Sequence, residues 1–112
     1  MGKMKNLSEG KPVEAPPGIV RKTLSYNDEA MLCYFSLQAG AEIPLHDHRA
    51  TQIGYVISGE VRFLAENTDD EFEVVTGDSY VFNPHVKHGA VVLKDTEYIE
   101  VFTPPRGEYK DF

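Results

Sequence analysis

The sequence predicts an all-β domain, folded as a sandwich or barrel, and three observations carry that prediction. No segment keeps a helical apolar period over ten or more residues. Apolar and polar residues alternate instead over short runs, each closed by Gly, Pro, Asn, Asp or Ser. About eight such runs fit into the chain, the density of a small all-β fold.

The runs follow in order. Residues 1–17 contain Pro12, Pro16 and Pro17 among Lys, Gly and Glu, and read as a flexible or extended arm ahead of one domain over 18–112. A strand is expected over 18–24, with a turn at Ser25-Tyr26-Asn27-Asp28. The next, 29–38, puts Met31, Cys33, Phe35 and Leu37 on one face and stops at Ala39-Gly40. Residues 52–57 form a strand that Ser58-Gly59 turns tightly into 60–66. There Val61, Phe63 and Ala65 alternate with Glu60, Arg62 and Glu66. A loop at Asn67-Thr68-Asp69-Asp70 precedes 72–75, and Gly77-Asp78 leads into 80–82. Two last strands, 88–93 and 98–102, are expected on either side of a turn at Lys94-Asp95. Some strands are apolar on both faces, 30–37 most clearly. One small barrel buries only one face, so the other is expected to meet a partner, as in a homodimer.

Composition excludes several classes of function. A chain of 112 residues supports one core. The net charge of −7, with eleven scattered Lys and Arg, leaves no basic surface for nucleic acid. Apolar stretches fall far short of the ~20 residues needed to span a bilayer, and Met1–Asn6 leads into no apolar signal core. The expected location is cytoplasmic. Cys33, the one cysteine, sits among Met31, Leu32, Tyr34 and Phe35 and reads as a small buried hydrophobe.

All four histidines fall in two clusters. The first is Gly40-x5-His46-x-His48-x3-Gln52-x6-Gly59, and the second is Asn83-Pro84-His85-Val86-Lys87-His88-Gly89 after Gly77. Residues 46, 48 and 52 share parity, so one extended strand would project all three to one side. His88, arriving from a later strand, completes a candidate site for one divalent transition metal: Ni, Zn, Fe, Mn or Co. With neutral Gln52 in place of a carboxylate, the bound ion keeps its full charge. That favours a small anionic substrate and strengthens polarisation of bound oxygens. His85 by itself reads as a surface residue or a neighbour of the site.

These two clusters resemble the paired motifs of the cupin superfamily, small jelly-roll β-barrels (the double-stranded β-helix). Motif one is usually G-x5-H-x-H-x3,4-E-x6-G, and this chain departs from it with Gln52 for Glu. Motif two is usually G-x5-P-x-G-x2-H. Here Asn83 stands for the Pro, His85 for the Gly, and His88 for the ligand histidine. The resemblance implies the fold. It leaves the reaction open among dioxygenases, isomerases, decarboxylases and plain binders.

Two features narrow the choice. Gly54, on the face of Gln52, is expected to leave space near the metal. In the last strand Tyr98, Glu100 and Phe102 share a face. If that face is inner, burial would raise the Glu100 pKa toward the range of a general acid–base; if outer, Glu100 is solvated and the aromatics form an interface. The ending Glu100-x-Phe102-x-Pro104-x-Arg106, together with Gln52, is similar to the pectin-degradation KdgF type, which linearises ring-closed unsaturated uronates. That similarity implies catalytic roles for Glu100 and Arg106 and substrate contacts from Tyr98, Phe102 and Arg106, a bidentate guanidinium suiting a carboxylate. The family's acid is usually Asp, so Glu100 is one methylene longer. Read alone, Arg106 is equally a surface residue after Pro104-Pro105. An Fe(II) dioxygenase acting on a diketone or enol, and a non-catalytic binder of a small anion, are the alternatives.

Overall fold

The structure, a computed structural model, describes residues 2–110. It holds eight strands: β1 (Pro12–Glu14), β2 (Ile19–Tyr26), β3 (Met31–Leu37), β4 (Glu42–His46), β5 (Thr51–Leu64), β6 (Phe72–Val75), β7 (Ser79–Phe82) and β8 (His88–Thr103). Single 3-10 turns lie at Leu7–Glu9, Thr68–Asp70 and Gly107–Tyr109. All strand pairings are antiparallel, in the order β1-β2-β3-β8-β5-β6, with β4 on β8 and β7 on β5. This is the predicted all-β jelly roll, although the hydrogen-bonded ladder does not close into a ring. No helix among the described residues is long and apolar enough to cross a membrane.

Two long strands build the molecule, and here the sequence expectation is corrected. Residues 52–57 and 60–66 are not two strands around a tight turn; 52–64 lie in one 14-residue β5, and 65–66 fall beyond its end. Likewise 88–93 and 98–102 belong to one 16-residue β8. The first half of β5 pairs with β7 and with the second half of β8, Gln52 opposite both Phe82 and Phe102. Its second half pairs with β6 and with the first half of β8, Phe63 opposite both Phe72 and Ala90. Register shifts at 56–61 mark an irregularity in the β5–β8 ladder, between the two halves of each strand. Gly59 sits there at φ +114, and a Cβ would overlap Thr96 Oγ1, so only glycine fits the bend. Gly and Lys-Asp are turn signals, but here they serve a bulge inside continuous strands.

The core follows strand parity. Met31, Cys33, Phe35 and Leu37 of β3 point inward with Ile19, Val56, Val61, Phe63, Val92, Tyr98 and Phe102. Each such side chain contributes roughly 1.5–3 kcal/mol by leaving water. Phe63 bridges the two halves, with its ring 4.6 Å from Tyr80 and 5.1 Å from Phe82. Cys33 is buried as expected, beside Thr23. A second correction is β4, a strand that the sequence reading did not include. His46 is its last residue and pairs with His88. The site therefore does not sit on one strand: His46 ends β4, His48 lies in the connecting loop, and Gln52 is on β5. The shared parity of 46, 48 and 52 is not what aligns them.

Candidate metal centre

Three strand ends bring the four candidate ligands to one point. The imidazoles of His46 and His88 are 4.5 Å apart, and His48 lies 5.6 Å from the first and 5.0 Å from the second. A ligand nitrogen from each of the three falls within 4.8 Å of the other two. The backbone fixes which nitrogen that is. Nδ1 of His46, His48 and His88 donates to the carbonyls of Pro44, Ala50 and Val86, at 2.9, 2.8 and 2.8 Å. A carbonyl only accepts, so each Nδ1 carries the hydrogen and each Nε2 presents a lone pair. Phe82 lies flat on the His88 ring at 4.2 Å and holds it in plane.

Gln52 supplies the fourth group. Its Oε1 lies 3.0 Å from His48 Nε2 and 3.2 Å from His88 Nε2. Its Nε2 donates to Glu100 Oε2, which fixes the amide's orientation. Oxygen and nitrogen lone pairs thus converge with no hydrogen between them, an arrangement that a cation stabilises and that repels itself otherwise. The donor set fits a divalent transition metal. Burial lowers the pKa of His88 to about 4 and, with the Arg106 charge, also lowers that of His48. Both rings are therefore neutral at pH 7, as ligands must be.

Of the two orientations open for the last strand, the structure shows the inner one. Tyr98, Glu100 and Phe102 are all buried. Burial pushes the Glu100 carboxyl up to about 7, against the opposing pull of hydrogen bonds from Tyr80 and Gln52 and of the Arg106 charge. Phe102 meets His48 edge-on at 6.0 Å. Arg106 is three-quarters or more covered and close to the site: its Nε is 2.7 Å from Glu108, its Nη1 is 2.8 Å from Tyr109 Oη, and its guanidinium lies 4.3 Å over the Tyr109 ring. His46, Gln52, His88, Glu100, Phe102 and Arg106 all line one cavity of about 60 Å³. Carboxylate, guanidinium and metal-ligand candidates thus face a single small space.

Some features differ from the sequence reading. Gly54 leaves no open space, because the Tyr80 ring occupies the volume where a Cβ would stand. Tyr80 itself, buried with its hydroxyl 2.6 Å from Glu100 Oε2, was not singled out, nor were Phe82 and Tyr109. Alternation along Ser79–Phe82 places Tyr80 and Phe82 inward, but only the β5–β7 register sets Tyr80 opposite Gly54. His85 stays outside the cluster. It adopts φ +64 at the position where motif two usually has Gly, and its backbone amide, 2.8 Å from the His48 carbonyl, is what reaches the site.

A cupin domain model matches residues 33–102. Pectin degradation protein KdgF of Dickeya dadantii is 30% identical over 98 residues, 86% of this chain and 87% of that protein. H2HPP isomerase of Bacillus subtilis is 35% identical over 69 residues, 60% of this chain but only 28% of that longer protein. Among solved structures, KdgF from Halomonas sp. superposes with a TM-score of 0.88 at 29% identity, covering 98% of this chain and all of that one.

Proposed function

The chain belongs to the cupin family and is of the KdgF type, and from that premise we propose that it is a metal-dependent isomerase of a small anionic sugar derivative, an unsaturated uronate. The observation that carries this reading is a buried Glu100 with a pKa near 7, set beside a neutral-ligand metal centre and across one cavity from Arg106. When bound, the ion supplies Lewis-acid polarisation of sugar oxygens. Arg106 pairs with the uronate carboxylate and orients the ring, and Phe102 and Tyr98 form the cavity wall. Glu100 takes the proton of the anomeric hydroxyl as the C1–O5 bond breaks, giving an aldehyde and an enolate. It then gives that same proton to C4 as the enolate becomes a ketone. The sum is an isomerisation without added water or oxidant, and a carboxyl titrating near 7 can move the proton in both directions. The relative whose name is that of an isomerase supports proton-shifting chemistry over oxygen chemistry, and the pectin-degradation relative supports a sugar-derived substrate.

Glu100→Gln keeps the size of the side chain and removes its titration. Its rate with 4,5-unsaturated uronate is expected to fall to the spontaneous rate, with metal content unchanged. Wild-type turnover in that variant would remove Glu100 from the mechanism. Uptake of O₂ by wild-type protein with a diketone or enol would instead favour the dioxygenase reading.

The same proposal includes a homodimer. The outer face of the sheet carries Val81, Ile53 and Val101 side by side in one row and Tyr55 and Ile99 in the next, with Ile53, Tyr55 and Val81 about half exposed. An uncharged face of that kind is complementary to itself about a two-fold axis.

A further inference from the structure

Glu100 is not simply a buried acid; its two oxygens differ. Oε2 accepts from the Tyr80 hydroxyl at 2.6 Å and from the Gln52 amide. Oε1 takes no donor among the described residues. No fully buried side-chain oxygen among them lacks a partner, so Oε1 is the oxygen that opens on the cavity Glu100 lines. Tyr80 reaches Glu100 because of what is absent at residue 54. Gly54 stands opposite Tyr80 on one side and Glu100 on the other, and a Cβ there would overlap the tyrosine ring. The ring is also held by Phe63 at 4.6 Å and Tyr98 at 5.9 Å. Burial pushes the Tyr80 phenol well above its ordinary value, so it stays an O–H donor.

We infer that Tyr80, admitted by Gly54, is a positioning residue that ties back Oε2 of Glu100 and so commits Oε1 to the substrate proton. The inference rests on the acid–base role proposed for Glu100. It assigns a task to a residue that neither binds the ion nor touches substrate. The donor on the rear oxygen restricts rotation of the Glu100 carboxylate. Gln52 is the second donor, so a metal ligand and a remote phenol fix the same atom.

Tyr80→Phe removes only the hydroxyl. With wild-type thermal stability and metal content, it should lose about tenfold or more in kcat on unsaturated uronate while KM stays within about twofold, because the group that moves the proton is misaligned and the binding groups are not. Wild-type kcat in Tyr80→Phe, or a loss that appears in KM and leaves kcat unchanged, would overturn the inference and leave the proposed reaction standing. Should wild-type protein prove inactive on unsaturated uronates, the proposed reaction fails instead. A crystal structure of Tyr80→Phe then decides the positioning role: a rotated or doubled Glu100 carboxylate supports it, and an unmoved one refutes it.

Discussion

Replacing Gln52 by Glu restores the acid usual at that motif position, and in this chain it should slow the proposed reaction. The shape of the side chain hardly changes. What changes is that Nε2, which donates to Glu100 Oε2, becomes an oxygen with no hydrogen to give. A charge-assisted hydrogen bond of roughly 1.5–3 kcal/mol is lost. A second carboxylate now lies against the first, and two unit charges about 4 Å apart repel by about 4 kcal/mol at an effective dielectric constant near 20. Glu100 already titrates at about 7 because it is buried. At about 1.4 kcal/mol per pH unit, that repulsion alone raises it by about three units. Roughly one molecule in a thousand would then hold an ionised Glu100 at pH 7, against about half in the wild type. A cation in the site offsets part of the repulsion, so about a tenfold loss of kcat is the floor of the expectation and about a hundredfold its centre. The assay follows ultraviolet absorbance of the conjugated enol ether, with metal content measured on the same samples. The anionic ligand should leave metal binding as tight or tighter. A fully metallated Gln52→Glu protein with kcat within about threefold of wild type would refute the reasoning, because the amide's hydrogen would then have no function.

Three further outcomes are expected. In metal-free protein Glu100 and His88 pull stability in opposite directions with pH. Glu100 is raised from 4.5 to about 7, so its contribution is full below pH 4.5 and is lost as pH rises to 7; His88 is lowered from 6.5 to about 4, so its contribution is full above 6.5 and is lost as pH falls to 4. The melting temperature of metal-free Glu100→Gln should therefore gain on wild type across pH 4.5–7, and parallel curves would count against a raised Glu100. His85→Gly should stabilise by about 0.5–1 kcal/mol, since an L-residue at positive φ costs about 1–2 kcal/mol and glycine's greater freedom when unfolded returns part of that; a lower melting temperature would show that the His85 ring has a partner of its own. Val81→Glu, on the outer face, should convert a dimer to a monomer in sedimentation with little loss of secondary structure, and a wild-type monomer would dispose of the dimer at once.

The strand pattern was legible because alternation is local: Met31, Cys33, Phe35 and Leu37 point inward as their spacing requires. The joins between strands were less so. Ser58-Gly59 and Lys94-Asp95 carry the residues of turns, yet both lie inside continuous strands at the register shifts of β5 and β8, and a bulge draws on the same residue types as a turn. The histidine spacing picked out residues that the structure brings together, although no single strand carries 46, 48 and 52 and their shared parity is not the reason. A motif can record a three-dimensional arrangement whose local geometry it does not describe.

Tyr80 shows where such reading stops. Its place opposite Gly54 and its contact with Glu100 join three strands whose register no spacing in the sequence encodes. Gly54 seemed to mean open space, and it means an occupant brought from another strand. The consequence reaches back to Gln52. Judged by charge, a neutral ligand is a preference for anions; judged by geometry, it is also a donor whose hydrogen holds the rear oxygen of the acid. Charge and geometry make different demands of position 52. An asparagine or a serine would satisfy the first, but only a residue with an acceptor facing the histidines and a donor facing Glu100, at this length, satisfies both. On the proposed reading, position 52 answers to Glu100 as much as to the ion.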